Sequence, residues 1–490
     1  MSESEQLQRE IGQSAIGNGS KVTSDCNVSA NAWNVNFNNG NVNNNNNKTN
    51  TNRVRAVAPA QCRAAATSLV VYDIPFSQII EAWIDCERNK RSSDSCTKFR
   101  WHAHKELAAL WRQVRSRAYQ PAASMCFIVT HPVTREVFAG AFRDRVIHHW
   151  EALRIVPLLD RFFVMVGDAS MNCRKGYGAL RAVRRMEKML WDYTRCYTRQ
   201  DCYILGGDFA NYFMSIDKQL LWEMANDFIL TNYEGEDKEC LLYLCGTTLF
   251  HRPQEHCYKR SPDAAWAPLP DRKSLFHCKP ERGMPIGNFP SQLWANFIGA
   301  VFTDWIMNVR GYKAFLIFVD DWRVLVGSYA EGKRLAKEVR EYLDEQLHVT
   351  LHPDKLYLQH YTKGTKMVGA VVKPRRTYIA NRTRGAFISK MIGYNRQAAE
   401  LTHRERIAML VKLRATINSY LGMMIHYNSY KVRRKIAEKY ILPTWKEYLY
   451  FEDEFRRCVI RRQYDDTNNI RKKLRNRAFA ARLIRPHYQD

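Results

Sequence analysis

The chain has 490 residues, 46% of them hydrophobic and 12% aromatic, enough apolar material for large cores. Its 75 Lys and Arg against 49 Asp and Glu leave a formal charge of +26, a field that recruits polyanions, nucleic acid first and anionic membrane second. No apolar run approaches the roughly 18 residues of a bilayer span, the opening MSESEQLQRE lacks the basic and apolar regions of a secretion signal, and 13 scattered cysteines without a C-x-x-C pair fit reduced thiols in a cytosol-like compartment.

Asparagine fills 13 of the 25 positions from 31 to 55. The stretch opens with Trp33, Val35 and Phe37 alternating with Asn34, Asn36 and Asn38, a period-two strand pattern. It then decays into amides with nothing apolar to bury, which cannot offset their own ordering entropy. Residues 1–65 are therefore expected to form a disordered, Asn-rich leader. Globular sequence begins at SLVVYDIPF. FSQIIEAWIDCERNKR and KELAALWRQVRSRAY read as amphipathic helices. From Phe127 to about Val372 short strands alternate with helices, a mixed α/β body assigned to residues 66–385. Residues 386–490 read as helical and basic, with Arg and Lys clustered in YKVRRKIAEK and IRKKLRNRAFAARLIR. Such runs form either a solvated face or a phosphate-tracking one. Cys240, Cys245, His256, Cys257, His277 and Cys278 are dense enough for a metal, but their spacings match no zinc template, and buried free thiols are the expectation.

Two stretches carry candidate chemistry. In YKAFLIFVDDWRVLVG, Phe315–Val319 is an apolar β run and Val324–Val326 resumes a strand, which predicts a hairpin with Asp320 and Asp321 at its tip. In CYILGGDFANYFMSID a short strand and two glycines lead to Asp208 and a helix-like segment. Acids brought together raise one another's pKa or demand a cation. Magnesium suits such a place because it takes carboxylate oxygens and leaves positions open for phosphate. A pair of such ions activates an attacking hydroxyl and steadies a leaving pyrophosphate. Asp208 with Asp320 and Asp321 thus predicts a nucleotidyl-transfer site, with Asp217 serving helix structure instead.

These stretches resemble a reverse transcriptase. DFANYF is similar to the first catalytic motif, where Phe213 would block the ribose 2′-hydroxyl and favour deoxynucleotides. FVDD is similar to the Y-x-D-D box, with Phe318 replacing tyrosine. AFRDRVIHH and NCRKGYGAL resemble the fingers motifs, which makes Arg143 and Arg145 candidate triphosphate or template contacts. LHPDK resembles the motif whose lysine, here Lys355, protonates departing pyrophosphate. KMVGAVV around Gly369 resembles the primer grip and SYLGMMIHYNSYKVRRK the start of the thumb. The resemblance implies an α/β (α+β) right-hand polymerase with fingers, palm and helical thumb. It also implies two Mg²⁺ ions held by Asp208, the Phe209 carbonyl, Asp320 and Asp321.

GMPIGNFPSQLWANF narrows the resemblance. Most of these enzymes carry Q-G-x-x-x-S-P here, whereas Ile286–Gln292 reads I-G-N-F-P-S-Q. That form, and DRKSLFH before it, are similar to reverse transcriptases of diversity-generating retroelements. Those copy a template-repeat RNA into cDNA with errors mainly opposite adenines, driving mutagenic retrohoming into a target gene. Ile286 and Gln292 become candidate nucleotide contacts. Replacing a hydrogen-bonding glutamine by Ile286 loosens selection, because shape and apolar contact discriminate less steeply than hydrogen bonds; ordinary packing is the alternative role for Ile286.

The resemblance also accounts for the asparagines. AAC and AAT carry adenine at both deciding positions, and randomising those adenines never creates a stop codon. The stretch WNVNFNNGNVNNNNNKTNTNRVRAV resembles the variable end of a lectin-like target protein, so the reading frame is expected to overlap the template repeat. The implied partners are template-repeat RNA, cDNA, dNTPs and a small basic accessory variability protein that forms a helical-bundle oligomer, with no membrane. The implied location is the cytoplasm, bacterial or phage-encoded. The rival readings are a retron or phage-defence reverse transcriptase, and a basic RNA-binding scaffold with an inactive palm.

Overall fold

Period-3.6 stretches become helices and the short apolar runs between them become strands. The structure, a computed structural model, describes residues 71–88, 90–91, 93–130, 133–198 and 200–465. The expected leader and the basic stretch 470–485 lie outside these residues. In chain order come helices α1 (Phe76–Glu87), α2 (Asp94–Trp101) and α3 (Ala103–Arg115), strands β1 (Ser124–Val129) and β2 (Arg135–Ala139), and helices α4 (Phe142–Met165) and α5 (Ala179–Tyr193). Strand β3 (Tyr203–Asp208), the single turn α6 (Tyr212–Ser215), helices α7 (Lys218–Asn232) and α8 (Lys238–Phe250), strand β4 (Cys257–Lys259) and helix α9 (Phe289–Asp304) follow. Next are β5 (Phe315–Phe318), β6 (Asp321–Val326), α10 (Tyr329–Gln346) and β7 (Tyr357–His360). The last elements are β8 (Thr365–Met367), β9 (Ala370–Lys373), β10 (Arg376–Ile379), α11 (Asn381–Glu400), α12 (His403–Met424), α13 (Tyr430–Ile436), α14 (Leu442–Trp445), β11 (Leu449–Glu452) and β12 (Arg457–Ile460).

The chain divides into two compact units. The first contains the described residues up to Ala179 together with Cys202–Gln359; the second contains Leu180–Asp201 and the described residues from His360 onward. The division falls ahead of residue 385, where the change of composition placed it. Strands β8–β10 belong with the helices that follow, and most of α5 joins them. Glu187 of α5 accepts a hydrogen bond from the Thr377 hydroxyl, and Arg184 donates to the His426 carbonyl at 3.1 Å.

The first unit is built on a four-stranded sheet in the order β5-β6-β3-β7. Side chains alternate along a strand, so one face carries Leu205, Phe315, Ile317, Trp322, Val324 and Val326 into the main core. Trp322 is fully buried and meets Phe302 of α9 edge-on, with ring centroids 5.6 Å apart. Truncating such a buried ring costs about 3–5 kcal/mol. Helix α9 is buried on nearly every side, and its Trp294 and Phe297 pack in the same core. The sequence placed two glycines between strand and aspartate; the strand in fact runs through them. A Cβ on Gly207 would lie 2.4 Å from the Trp322 ring, and one on Gly206 would lie 2.6 Å from Tyr357 and 2.8 Å from Arg323. The glycines make room for large side chains on the neighbouring strands.

A smaller sheet, β2-β1-β4, closes over a separate cluster of Cys126, Phe138, Met214 and Leu275. In the second unit, β8, β9 and β10 form an antiparallel meander. Val368 and Gly369 make its first turn with φ of 37° and 86°, the pairing expected of a type I′ hairpin. Helices α11 and α12 share a core with the β11–β12 hairpin, where Phe387 stacks on Tyr420 at 4.6 Å. Thr402 and Glu405 form a capping box at the start of α12. No helix among the described residues is long and apolar enough to cross a membrane.

Candidate active site

One end of the first unit's sheet carries a row of three residues across neighbouring strands. Phe318 on β5 pairs with Asp321 on β6, and Asp321 pairs with Asp208 on β3. Because they are register partners, all three project on the same face, opposite the Trp322 core. Asp321 is thus the first residue of a strand, and the hairpin turn consists of Val319 and Asp320. Asp320 is tied back to the row through its carbonyl, which accepts from the Phe209 N–H at 3.1 Å. Beyond Asp208 the chain meets residues 350–352: Ala210 N–H donates to the Thr350 carbonyl and His352 N–H to the Asp208 carbonyl, both at 2.8 Å. The Phe209 carbonyl is left out of that ladder.

Three carboxylates at one place need compensation, and two cations supply part of it. Lys355 Nζ donates to Asp208 Oδ1 at 2.7 Å. Arg323, two residues along β6 and on the same face, donates from Nη1 to Asp321 Oδ1 at 2.6 Å. The Arg323 guanidinium also lies over the Tyr357 ring, 5.2 Å from its centroid. Burial pushes the Asp320 carboxyl up to about 6, and the neighbouring Asp208 and Asp321 push the same way. Burial also raises Asp321, against the pull of Arg323.

No group of three or more His, Cys, Asp or Glu side chains among the described residues is gathered tightly enough to ring a metal ion. Magnesium does not require such a ring: one or two carboxylates suffice when substrate phosphates complete the shell. Asp208, Asp320 and Asp321, with the backbone carbonyl of Phe209 next to Asp208 in the chain, are hard oxygen donors of the kind it takes. The Cys and His side chains between 240 and 278 are not gathered into a metal-sized group among the described residues. Cys240 and Cys245 are buried thiols on α8, while Cys278 contacts Met214 in the small cluster.

The turn has a further support that sequence patterning did not show. Val319 adopts φ of 62°, a left-handed conformation unusual for a β-branched residue. Its N–H donates to Asn172 Oδ1 at 2.8 Å. Asn172 is itself held by Asn296 of α9: the two amides hydrogen-bond one another, and Asn296 Nδ2 donates to the Asn172 carbonyl at 2.9 Å. Both asparagines are buried. The segment before Asn172 runs beside β5, with Ile317 N–H donating to the Ala169 carbonyl at 3.0 Å and Met171 N–H to the Ile317 carbonyl at 2.9 Å.

A second group of predicted residues gathers around β2. Phe138 N–H donates to the Ile286 carbonyl at 2.8 Å, and Gly140 N–H donates to Asn288 Oδ1 at 3.3 Å. Between them Gly287 has φ of +115°, and a Cβ there would lie 2.7 Å from the Phe138 carbonyl oxygen. The I-G-N sequence is therefore a latch onto β2, and glycine is required in its middle. Glu136, on the same strand, accepts from Ser274 Oγ at 2.9 Å, Leu275 N–H at 2.7 Å and Trp266 Nε1 at 2.7 Å, which docks SLFH beside the latch. Met284 N–H donates to the Phe213 carbonyl at 2.7 Å, and the side chains of Phe213 and Ile286, both half-buried, pack against the same small cluster.

Of the remaining candidates, only Arg145 touches either group. Gln292 is exposed on α9, its amide oxygen 4.0 Å from Cys173 Sγ. Arg143 is drawn to Gln113 of α3 and lies over the Tyr119 ring at 5.9 Å. Arg145 donates from Nε to the Gly140 carbonyl at 2.9 Å, beside the latch. Asp217 caps α7 through hydrogen bonds to the Gln219 and Leu220 N–H groups at 3.0 and 3.1 Å.

No family model matches the chain, and no curated protein does. Among solved structures it is similar to telomerase from Candida albicans in complex with a TWJ fragment of telomeric RNA, at 11% identity over 67% of this chain and 63% of that one, with a TM-score of 0.37. It is also similar to apo telomerase from Candida tropicalis, at 9% identity over 66% and 60% with a TM-score of 0.38. A form of that telomerase truncated from its C-terminal domain gives 9% identity over 53% and 55% with a TM-score of 0.39. The match spans between 55% and 63% of the length of these proteins.

Proposed function

We propose that the chain is an RNA-directed DNA polymerase and, more narrowly, the reverse transcriptase of a diversity-generating retroelement. The observation that carries the first part is the row Asp208–Asp321–Phe318 closed by a turn bearing Asp320. It is an acidic, half-buried end of the sheet with a lysine at its rim. Such an arrangement suits transfer of a nucleotide from a dNTP to a primer hydroxyl, with release of pyrophosphate. Two Mg²⁺ ions would be held by Asp208, Asp320, Asp321 and the Phe209 carbonyl, and would supply hydroxyl activation and neutralisation of phosphate charge. Lys355 stands on Asp208 as the proton donor to the leaving pyrophosphate. Phe213, held in place by the Met284 hydrogen bond, would turn away a ribose 2′-hydroxyl.

The narrower reading rests on the I-G-N-F-P-S-Q sequence and its latch to β2, together with the asparagine-rich stretch at 31–55. Ile286 offers a nucleotide packing without hydrogen bonds, which favours loose selection. The proposed partners are a template-repeat RNA, its cDNA and a small basic accessory protein. Sequencing the cDNA made on the cognate RNA, with dNTPs, Mg²⁺ and the accessory protein, tests it. Errors concentrated opposite template adenines support the narrower reading. Faithful cDNA leaves the polymerase and moves it to the retron or phage-defence class.

A further inference from the structure

Trp101 is 78% exposed, the most exposed large apolar side chain among the described residues. It ends α2 at an elbow: α3 begins two residues later, past the non-helical His102 (φ −120°, ψ 16°). The apolar residues beside it, Phe99, Ala103 and Leu107, are buried and form the elbow's inner side. Trp101 is therefore not a core residue that slipped outward: the pattern that buries its neighbours leaves it on the outer face.

Its surroundings are mainly cationic, with Asp94 and Glu106 as the acids in the first turns of α2 and α3. Lys98 and Arg100 occupy the last turn of α2, and Lys105 the first turn of α3, all three exposed. Arg91 approaches from the end of α1, where one carboxylate, Glu87, holds Arg91 Nε at 3.2 Å and Arg100 Nε at 3.5 Å. Glu87 is itself buried, while the two arginine side chains remain 64% and 49% exposed. A fixed acid thus sets two guanidinium groups side by side against their mutual repulsion, with their outer N–H groups facing solvent.

We propose that this elbow is a docking site for single-stranded RNA, with one unpaired base stacked on Trp101 and the flanking phosphates met by Arg91, Arg100, Lys98 and Lys105. A protein interface would need an apolar centre with charge at its rim; here a single exposed ring stands among Arg91, Lys98, Arg100 and Lys105, which outnumber the acids Asp94 and Glu106 on the same two helices. A duplex offers no free base face. An aromatic platform between cations is the chemistry that holds single strands without sequence preference. The site is independent of the aspartate row and is read by binding rather than polymerisation, so either can fail while the other stands.

The test uses the full chain and a fluorescent, unstructured RNA of about 12 nucleotides, with a duplex of the same length as control. Anisotropy titrations at several salt concentrations compare the wild type with Trp101→Ala, Trp101→Phe and Arg100→Gln. Trp101→Ala is expected to weaken single-strand binding about tenfold with an unchanged salt slope and unchanged duplex binding. Trp101→Phe should retain most of the affinity, and Arg100→Gln should reduce the salt slope by about one ion. Single-strand Kd within twofold of wild type for Trp101→Ala overturns the proposal, as does an equal loss for strand and duplex. Wild-type RNA binding by Trp101→Ala with loss of a protein partner also overturns it and gives the elbow to that partner.

Discussion

Asp208 and Asp321 face each other as direct cross-strand partners, and each carboxylate is met by its own cation, Lys355 at 2.7 Å and Arg323 at 2.6 Å. Like charges opposed across two strands destabilise a sheet, so both cations have a structural task. Their environments set different sizes for it. Arg323 is buried and Lys355 about half exposed. Arg323→Met should lower unfolding stability by about 3 kcal/mol in a denaturant titration, because it strands a partly buried carboxylate. Lys355→Met should cost under about 1 kcal/mol yet slow primer extension about a hundredfold with little change in dNTP KM. Equal stability losses for the two variants would contradict this division.

Asn172 holds the turn through its bond from the Val319 N–H. Asn172→Ala removes the acceptor for the Val319 N–H and frees a left-handed valine to relax. The expected result is about a hundredfold lower kcat with dNTP KM retained, alongside a stability loss of about 1–3 kcal/mol. Val319→Gly in the same background should recover much of kcat, since glycine holds a positive φ without support. A double variant as slow as Asn172→Ala would show that the turn's backbone is not what Asn172 controls.

Ile286→Gln places a hydrogen-bonding amide beside the proposed nucleotide site while the backbone latch to Phe138 stays in place. If apolar packing there loosens selection, this substitution should lower misincorporation by about tenfold. Sequencing of cDNA from a primed RNA measures it. An unchanged error spectrum would assign Ile286 to packing of the Phe213 cluster alone.

Glu151 on α4 offers a pH test away from the site. It is fully buried, accepts from Thr248 Oγ1 at 3.0 and 3.2 Å, and burial pushes its carboxyl up to about 8 from an ordinary 4.5. The groups around it are His148, neutral because burial lowers it to about 3, and the thiols of Cys240 and Cys245 and the phenol of Tyr119, all raised by burial. With the folded value above the unfolded one, the protonated carboxyl stabilises the fold below pH about 4.5, and that contribution is lost as pH rises through about 8. Glu151→Gln should therefore flatten the fall in Tm between pH 5 and 8 and raise Tm at pH 8. A wild-type slope in the variant would contradict it.

Much of this arrangement could be read from residues in one line of chain. The apolar run from Phe315, the two acids and the return through Val324 state a hairpin locally, and strand alternation alone places Arg323 on the face of Asp321. What could not be read depends on distant packing. The glycines at 206 and 207 look like a turn until Trp322, Arg323 and Tyr357 are seen lying against them. Asn172 and Asn296 lie 124 residues apart and become a pair through the buried course of α9. Arg143, chosen for its neighbourhood in sequence, is turned toward Gln113 by the packing of α3. The second unit takes in most of α5, which no change of composition marks.

The most direct measurement is incorporation of dNTPs on a primed RNA with Mg²⁺, comparing the wild type with Asp208→Asn and Asp320→Asn. Template-directed extension by the wild type is expected. Each variant should lose at least about a thousandfold, because several kcal/mol of charge stabilisation goes with the carboxylate, while RNA binding is retained. Extension by either variant at the wild-type rate would contradict the site, and a wild type that binds the primed RNA without extending it would contradict the polymerase.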